Sequence, residues 1–329
     1  MDSVASRIER HRLIDVLAER SANAGRPGHR TDGHRVAVAI EGGGMRGTVS
    51  GGMALALSEL GLLPLFDAIY GASAGAISAA WLLSSHPEGL RGWTEPAFVR
   101  ALIRKRNMLF GRPLVDVQRL VEVLYLEDFP LDYASVLASA IEFHLLATDV
   151  MTGKAVNLRD QVIDEASLRL ALRASAALPL LAGGPVRLGE HTYYDAGLAE
   201  SIPFRQALRD GATHVLVLRS RRPADRARMA DRPSRSSRLI AGVGLRRYSP
   251  ELRAAFLGRN VRLADDDRLL AEHDIDDVAS GPAVMSVRPS DSAPRIGRLE
   301  TDDALLHTAF EAGRAALHTK MATLGIGDR

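Results

Sequence analysis

One serine in this chain sits where its hydroxyl could act as a nucleophile. Ser73 is the centre of Gly71-Ala72-Ser73-Ala74-Gly75, a G-x-S-x-G between an apolar run and a small-residue helical stretch. On a tight strand-to-helix turn, small flanking residues let the backbone bend and expose the serine Oγ, and the helix N-terminus favours negative charge developing beside it. A second cluster, Gly42-Gly43-Gly44-Met45-Arg46-Gly47, follows another apolar run. As a dinucleotide-binding G-x-G-x-x-G it lacks the acid expected about 20 positions on, because Ala68 to Ser73 contains none. As a phosphate loop it lacks Lys and Ser/Thr after its last glycine, where Thr48 and Val49 stand. What remains is a string of backbone N–H groups free of side-chain obstruction, which is what an oxyanion hole requires.

A serine of this kind needs a base, and none of the ten histidines is placed to serve. His144 lies inside a predicted strand, His214 begins one and His191 opens a short one, while His273, His307 and His318 fall in helical, solvated contexts. Asp195 is a better candidate. It closes the run His191-Thr192-Tyr193-Tyr194 ahead of a turn at Ala196-Gly197, at the sheet edge expected for Ser73. A desolvated carboxylate can take a proton directly if its pKa rises from about 3.9 toward the working pH. An aspartate that merely initiates a turn is the local alternative.

The elements that must carry these residues follow from hydrophobic spacing. Val36 to Ile40 predicts a strand, the glycine cluster a turn, and Val49 to Leu60 a helix; Phe66 to Tyr70, GASAG and a helix ending near Leu83 repeat the pattern. Two such units predict an α/β fold with a mainly parallel central sheet flanked by helices. Further strands are expected at Ile141 to Ala147, His214 to Leu218 and Ala283 to Val287, with a hairpin at Val186–Leu188 and Thr192–Tyr194. Helices are expected over much of 91–126, from Ala166 to Ala174, from Phe204 to Arg209, from about Pro250 to His273 and from about Leu299 to Leu324. Residues 1–34 predict an amphipathic helical arm around Ile8, Leu13, Ile14 and Leu17 and then a linker. Residues 35–220 form the expected core, and 221–329 an Arg-rich loop and a helical extension packed on it.

Composition narrows the class. With 46% hydrophobic residues and 42 Lys+Arg against 40 Asp+Glu, the chain is an ordinary globular protein with no bulk attraction for nucleic acid. It has no cysteine, which excludes disulfides and thiol chemistry. The N-terminus has no apolar signal-peptide region, and the longest apolar stretch, Gly71 to Leu83, has 13 residues where a spanning helix needs about 20. A cytoplasmic protein, at most peripheral on a membrane, is expected. Arg219 to Arg238 holds eight arginines and two aspartates and predicts a mobile basic loop.

The order GGGMRG, GASAG and DAG, with ATDVMTGKAV and ASAALP between the last two, resembles the patatin-like phospholipases, which share a Ser-Asp dyad with the cytosolic phospholipases A. The resemblance covers about 36–220 and implies a three-layer α/β/α fold. It implies a serine lipid acyl hydrolase with Ser73 as nucleophile and Asp195 as its base, acting on an acyl-ester lipid without metal or organic cofactor. Gly43 and Gly44, with the neighbouring amides of Gly42, Met45, Arg46 and Gly47, would form the oxyanion hole; Arg46 would brace that loop or meet a phosphate. Gly71 and Gly75 would shape the turn at Ser73, and Ala196 and Gly197 the turn at the base. Two departures stand out: Ala196 replaces the usual central glycine, costing about 1 kcal/mol if φ must be positive there, and Ser201 stands near where the family tends to have Asn. Residues 91–110, with Trp93, Phe98, Ile103 and Phe110 among basic residues, and 219–238 could contact anionic headgroups; an ordinary amphipathic helix and a solvated loop are the alternatives. A catalytically silent lipid-binding protein and a dinucleotide binder are the competing functions.

Overall fold

The computed structural model describes residues 11–23, 25–110, 112–228, 233–275 and 281–325; the expectation for Ile8 lies outside them. Strands β1 (Val36–Ile40), β2 (Ala68–Ala72), β3 (Glu142–Asp149), β4 (Ala155–Asn157), β5 (Val186–Leu188), β6 (His191–Tyr194), β7 (His214–Leu218) and β8 (Ala283–Val287) form one sheet. Its order is β5-β6-β3-β2-β1-β7-β8, with β4 on β3. From β3 to β8 neighbouring strands on this path are parallel; β4 and β6 meet β3 antiparallel. The helices are α1 (Arg12–Ala22), α2 (Gly47–Glu59), α3 (Ala74–Leu83), α4 (Pro96–Leu102), α5 (Val117–Arg119) and α6 (Tyr133–Ala138). They continue with α7 (Glu165–Ala176), α8 (Phe204–Arg209), α9 (Arg235–Leu239), α10 (Pro250–Ile275) and α11 (Asp303–Thr323).

Both sheet faces are covered, so β1 at the centre is buried and apolar on every residue. Val36, Val38 and Ile40 enter the larger core with α1, α2, α3, α7 and α11. Ala37 and Ala39 face the other way with Tyr70, Phe204 of α8 and Leu263 and Leu270 of α10. That alternation gives three layers, helix on sheet on helix.

β2 begins two residues later than the expected Phe66 to Tyr70. Asp67 is used as a clasp: its N–H donates to the Val36 carbonyl at 2.8 Å, and its carboxylate accepts the Val36 N–H and the Arg20 guanidinium. Arg20 also holds Asp32, so the N-terminal arm is fastened to the sheet, with Leu13, Ile14 and Leu17 fully buried.

The C-terminal third, expected as an extension packed on the core, supplies the edge strand β8 of the sheet itself. Its last helix, α11, crosses α2 backbone to backbone. A β-carbon on Gly52 would sit 2.1 Å from the Phe310 carbonyl oxygen, and one on Gly313 2.0 Å from that of Val49.

The mobile, solvated loop expected from Arg219 to Arg238 is corrected over its first part. Arg219 is fully buried, donating to Glu41 at 2.9 Å and to Asp267 at 2.7 Å, and Arg288 also reaches Asp267 at 2.7 Å. Arg222 pairs with Asp225, and residues 235–239 are helical. The side chains of Arg226 and Arg228, and residues 229–232 with Asp231 and Arg232, lie outside the description. The carboxyl of Glu41 is pushed up by burial, yet Arg219 and Arg221 outweigh that and hold it below its ordinary value. Arg219→Met is therefore expected to destabilise the protein by about 3–5 kcal/mol, because Glu41 and Asp267 lose the charge between them. Urea denaturation monitored by circular dichroism measures this, and a change under about 1 kcal/mol would contradict it.

Candidate active site

The site forms where two strands meet end to end. β2 pairs with β3 up to Ala72↔Leu146 and stops. β4 takes the opposite side of β3 over Leu146 to Thr148, so β6, which pairs Tyr194 with Thr148, occupies the lane that β2 has vacated. Because β6 runs antiparallel to β3, its end points back at the end of β2. Ser73 and Asp195, 122 residues apart, are the two residues at that junction, and the Ser73 hydroxyl donates to Asp195 Oδ2 at 2.6 Å.

The local backbone explains the small residues. Ser73 has φ 54° and ψ −121°, a conformation that costs a non-glycine residue about 1–3 kcal/mol and aims its side chain away from strand and helix. A β-carbon on Gly71 would lie 2.4 Å from Ala76 Cα, and one on Gly75 2.1 Å from the Ile40 carbonyl oxygen. Both glycines let α3 fold back against β1 and β2. The Ser73 N–H donates to the Ser175 hydroxyl at 2.9 Å, a brace from α7.

Asp195 is held on every side. Its Oδ1 accepts the Gly197 N–H at 2.8 Å, its carbonyl accepts from Thr148 Oγ1 at 2.8 Å, and its own N–H donates to the Ala177 carbonyl at 3.0 Å. A β-carbon on Gly197 would meet Asp195 Oδ1 at 2.8 Å, so the turn needs glycine there. Ala196 takes no positive φ and is fully buried against Ile202 and Phe204. The expected cost of alanine at that position therefore does not arise. Burial pushes the Asp195 carboxyl above its ordinary value; the Ser73 hydroxyl, the Gly197 amide and Arg298 pull the other way without cancelling it.

The glycine loop lies beside this pair, and part of the expected oxyanion hole is corrected. The Gly42 N–H donates to the Ser201 carbonyl and the Met45 N–H to the Arg298 carbonyl, each at 3.0 Å. The Gly47 N–H turns back to Gly44 and Met45, so these three amides serve the loop's own shape. Gly43 and Gly44 keep amides with no backbone partner among the described residues. Gly44 needs φ 61°, and a β-carbon on Gly42 would sit 2.4 Å from the Ala72 carbonyl oxygen. Among the described residues Arg46 braces the loop through no side-chain hydrogen bond or ion pair; its side chain lines a cavity, where burial and then Arg221 and Arg298 push its pKa down to about 9.

That cavity holds Ser73 and Asp195 and encloses about 880 Å³ of space, its solvent mouth included. Ile77, Trp93, Leu102, Ile103 and Val117 make one wall apolar. No histidine lines it. Among the described residues no group of three or more His, Asp or Glu is placed to hold a metal, and no helix is long and apolar enough to cross a membrane. In residues 91–110 Trp93, Phe98 and Ile103 are buried, while Phe110 and the basic Arg91, Arg100, Arg104, Lys105 and Arg106 are exposed.

Sequence reasoning missed Ser175, Thr148 and Arg262, whose guanidinium donates to the Leu198 and Ala199 carbonyls beside the Asp195 turn. It also missed Arg298. None carries a local signal, because each acts on a segment at least 47 residues away.

Fold and site together define an α/β protein with a serine on a strained strand-to-helix turn, hydrogen-bonded to a buried aspartate beside a glycine loop. The family model described as patatin-like phospholipase matches residues 38–208, just over half of the chain. The chain belongs to the patatin-like phospholipase family. It is 26% identical over 197 residues to the uncharacterized protein YjjU of Escherichia coli, covering 56% of this chain and 52% of that one. It is 27% identical over 175 residues to an uncharacterized NTE family protein, Rv1063c, of Mycobacterium tuberculosis, covering 51% and 44%. The chain thus spans about half the length of the curated relatives it matches. Solved structures with some likeness are VipD from Legionella pneumophila (TM-score 0.46, 12% identity, 93% of this chain and 69% of that one). A human GIVD cytosolic phospholipase A2 is similar at TM-score 0.44, 14% identity, 96% and 62%.

Proposed function

We propose that this protein is a serine lipid acyl hydrolase of phospholipase A or lysophospholipase type. The observation that carries the reading is the 2.6 Å hydrogen bond from the strained Ser73 to the buried Asp195, inside a cavity with an apolar wall. Asp195 takes the Ser73 proton as Oγ attacks the ester carbonyl carbon, and the Gly43 and Gly44 amides stabilise the tetrahedral oxyanion. The C–O bond to the alcohol breaks, and the proton held by Asp195 passes to the departing alkoxide. Water then gives a proton to Asp195 as its oxygen attacks the acyl-Ser73 carbonyl; the acyl–Oγ bond breaks, Asp195 returns the proton to Oγ, and the fatty acid leaves.

Labelling with an alkyl fluorophosphonate, followed by peptide mass spectrometry, tests this directly. One label per chain on Ser73, with turnover of p-nitrophenyl esters that varies with acyl length, is the expected result. A folded protein that takes no label and hydrolyses none of the esters would overturn it in favour of the silent lipid-binding alternative.

A further inference from the structure

Besides its apolar lining, the cavity has a cationic one. Arg46, Arg221, Arg259 and Arg298 all line it. Only Arg46 belongs to the segment that the family model matches, residues 38–208. Arg221 follows β7, Arg259 lies on α10, and Arg298 lies between β8 and α11, so three separate C-terminal segments bring a guanidinium to one place.

Three of the four guanidiniums have no carboxylate partner among the described residues. Arg46 and Arg298 make no hydrogen bond or ion pair through their side chains among the described residues, and Arg46 Nε is shut off from solvent with no partner. Arg259 donates to Ser237 Oγ at 3.1 Å and stacks on Phe256, with no carboxylate. Arg221 forms an ion pair with Glu41 at 3.4 Å and shares that carboxylate with Arg219. Asp225 is engaged by Arg222, and Asp195 by Ser73. Burial together with mutual repulsion holds Arg46, Arg259 and Arg298 below their ordinary pKa. Guanidiniums gathered at this cost in one partly enclosed cavity call for a ligand of high negative charge. Planar forks of donors suit the oxygens of a phosphate.

Resting on the acyl hydrolase reading above, we infer that Arg221, Arg259 and Arg298, with Arg46, form a subsite for a phosphate monoester dianion on the alcohol side of the ester that Ser73 attacks. The substrate class is then an acyl ester whose alcohol ends in a phosphate monoester. The acyl chain lies along the apolar wall.

The test compares 1-oleoyl-glycerol 3-phosphate with neutral 1-oleoyl-glycerol, both below aggregation, for the full chain and for Arg259→Gln and Arg298→Gln. The expected result is a kcat/KM ratio of about 30 or more in favour of the phosphate ester, falling about tenfold or more in either variant through KM. Equal hydrolysis of the two esters by the wild type would overturn the subsite and leave the acyl hydrolase intact. If neither ester reacts and Ser73 takes no label, the hydrolase reading has failed. Calorimetric titration of inorganic phosphate into the same protein then decides the subsite alone, since no binding overturns it. Phosphate binding that Arg259→Gln and Arg298→Gln abolish, without preference between the esters, would assign the arginines to a free anion and overturn the substrate class.

Discussion

Ser73→Ala is expected to reduce ester hydrolysis by about 10⁴-fold or more, to the level set by binding and the glycine-loop amides alone. No other hydroxyl can replace it, because the cavity presents Ser73 next to Asp195 while Ser201 Oγ donates to the Gly197 carbonyl. The fold should persist: alanine keeps the backbone constraint at φ 54° that serine already bears, and circular dichroism should be unchanged. Stability carries a second signature. Removing the hydroxyl takes away a donor that lowers the pKa of Asp195, so the folded-state value rises further above the unfolded one. A carboxyl with a raised folded pKa favours the native state least when ionised, so the variant should lose more melting temperature at pH 8 than at pH 5. Steady-state kinetics and thermal melts at the two pH values check both parts. Retention of a tenth of the activity would exclude Ser73 as the nucleophile.

Asp195→Asn is expected to cost on the order of 10⁴-fold, the upper end for loss of a general base. The amide preserves the shape: its oxygen can still accept the Gly197 N–H, but it cannot accept a proton from Ser73. Two measurements separate this role from a structural one. Wild-type kcat/KM should fall on the acid side with a limb above the ordinary carboxylate value of about 3.9, because burial raises the Asp195 pKa, and the residual activity of the variant should lack that limb. Stability at pH 8 should be equal or higher, since a neutral amide replaces a buried carboxylate that the fold ionises reluctantly. An acid limb that survives in the variant would assign the base to another group.

What could be read along the chain was whatever the backbone demands locally. Gly71, Gly75 and Gly197 each fill a position where a β-carbon would collide, and steric demands of that kind leave a mark in the residues adjoining Ser73 and Asp195. Strand assignments for β1, β7 and β8 agreed because buried parallel strands are continuous apolar runs. Asp67 misled the start of β2 because its role as a clasp depends on Val36 and Arg20, not on its neighbours. Arg219 was more deeply hidden. Its partners lie 178 residues earlier and 48 later, so in the sequence it is indistinguishable from the other arginines that follow it. The glycine loop was legible as a loop, but which amides it keeps free depends on Ser201 and Arg298, both contributed from afar.

The place of the last two strands bears on how the cavity is assembled. The segment that matches the family ends at residue 208, before β7 and β8, which pair in turn on the open side of β1. The carbonyl that holds Met45 and the arginine that neutralises Glu41 also come from beyond that point. The matched segment and the segment that completes the sheet are therefore different parts of the chain. Three of the four arginines that line the cavity come from the second part. A change in that tail can reshape the cavity around Ser73 and Asp195 while leaving both residues in place.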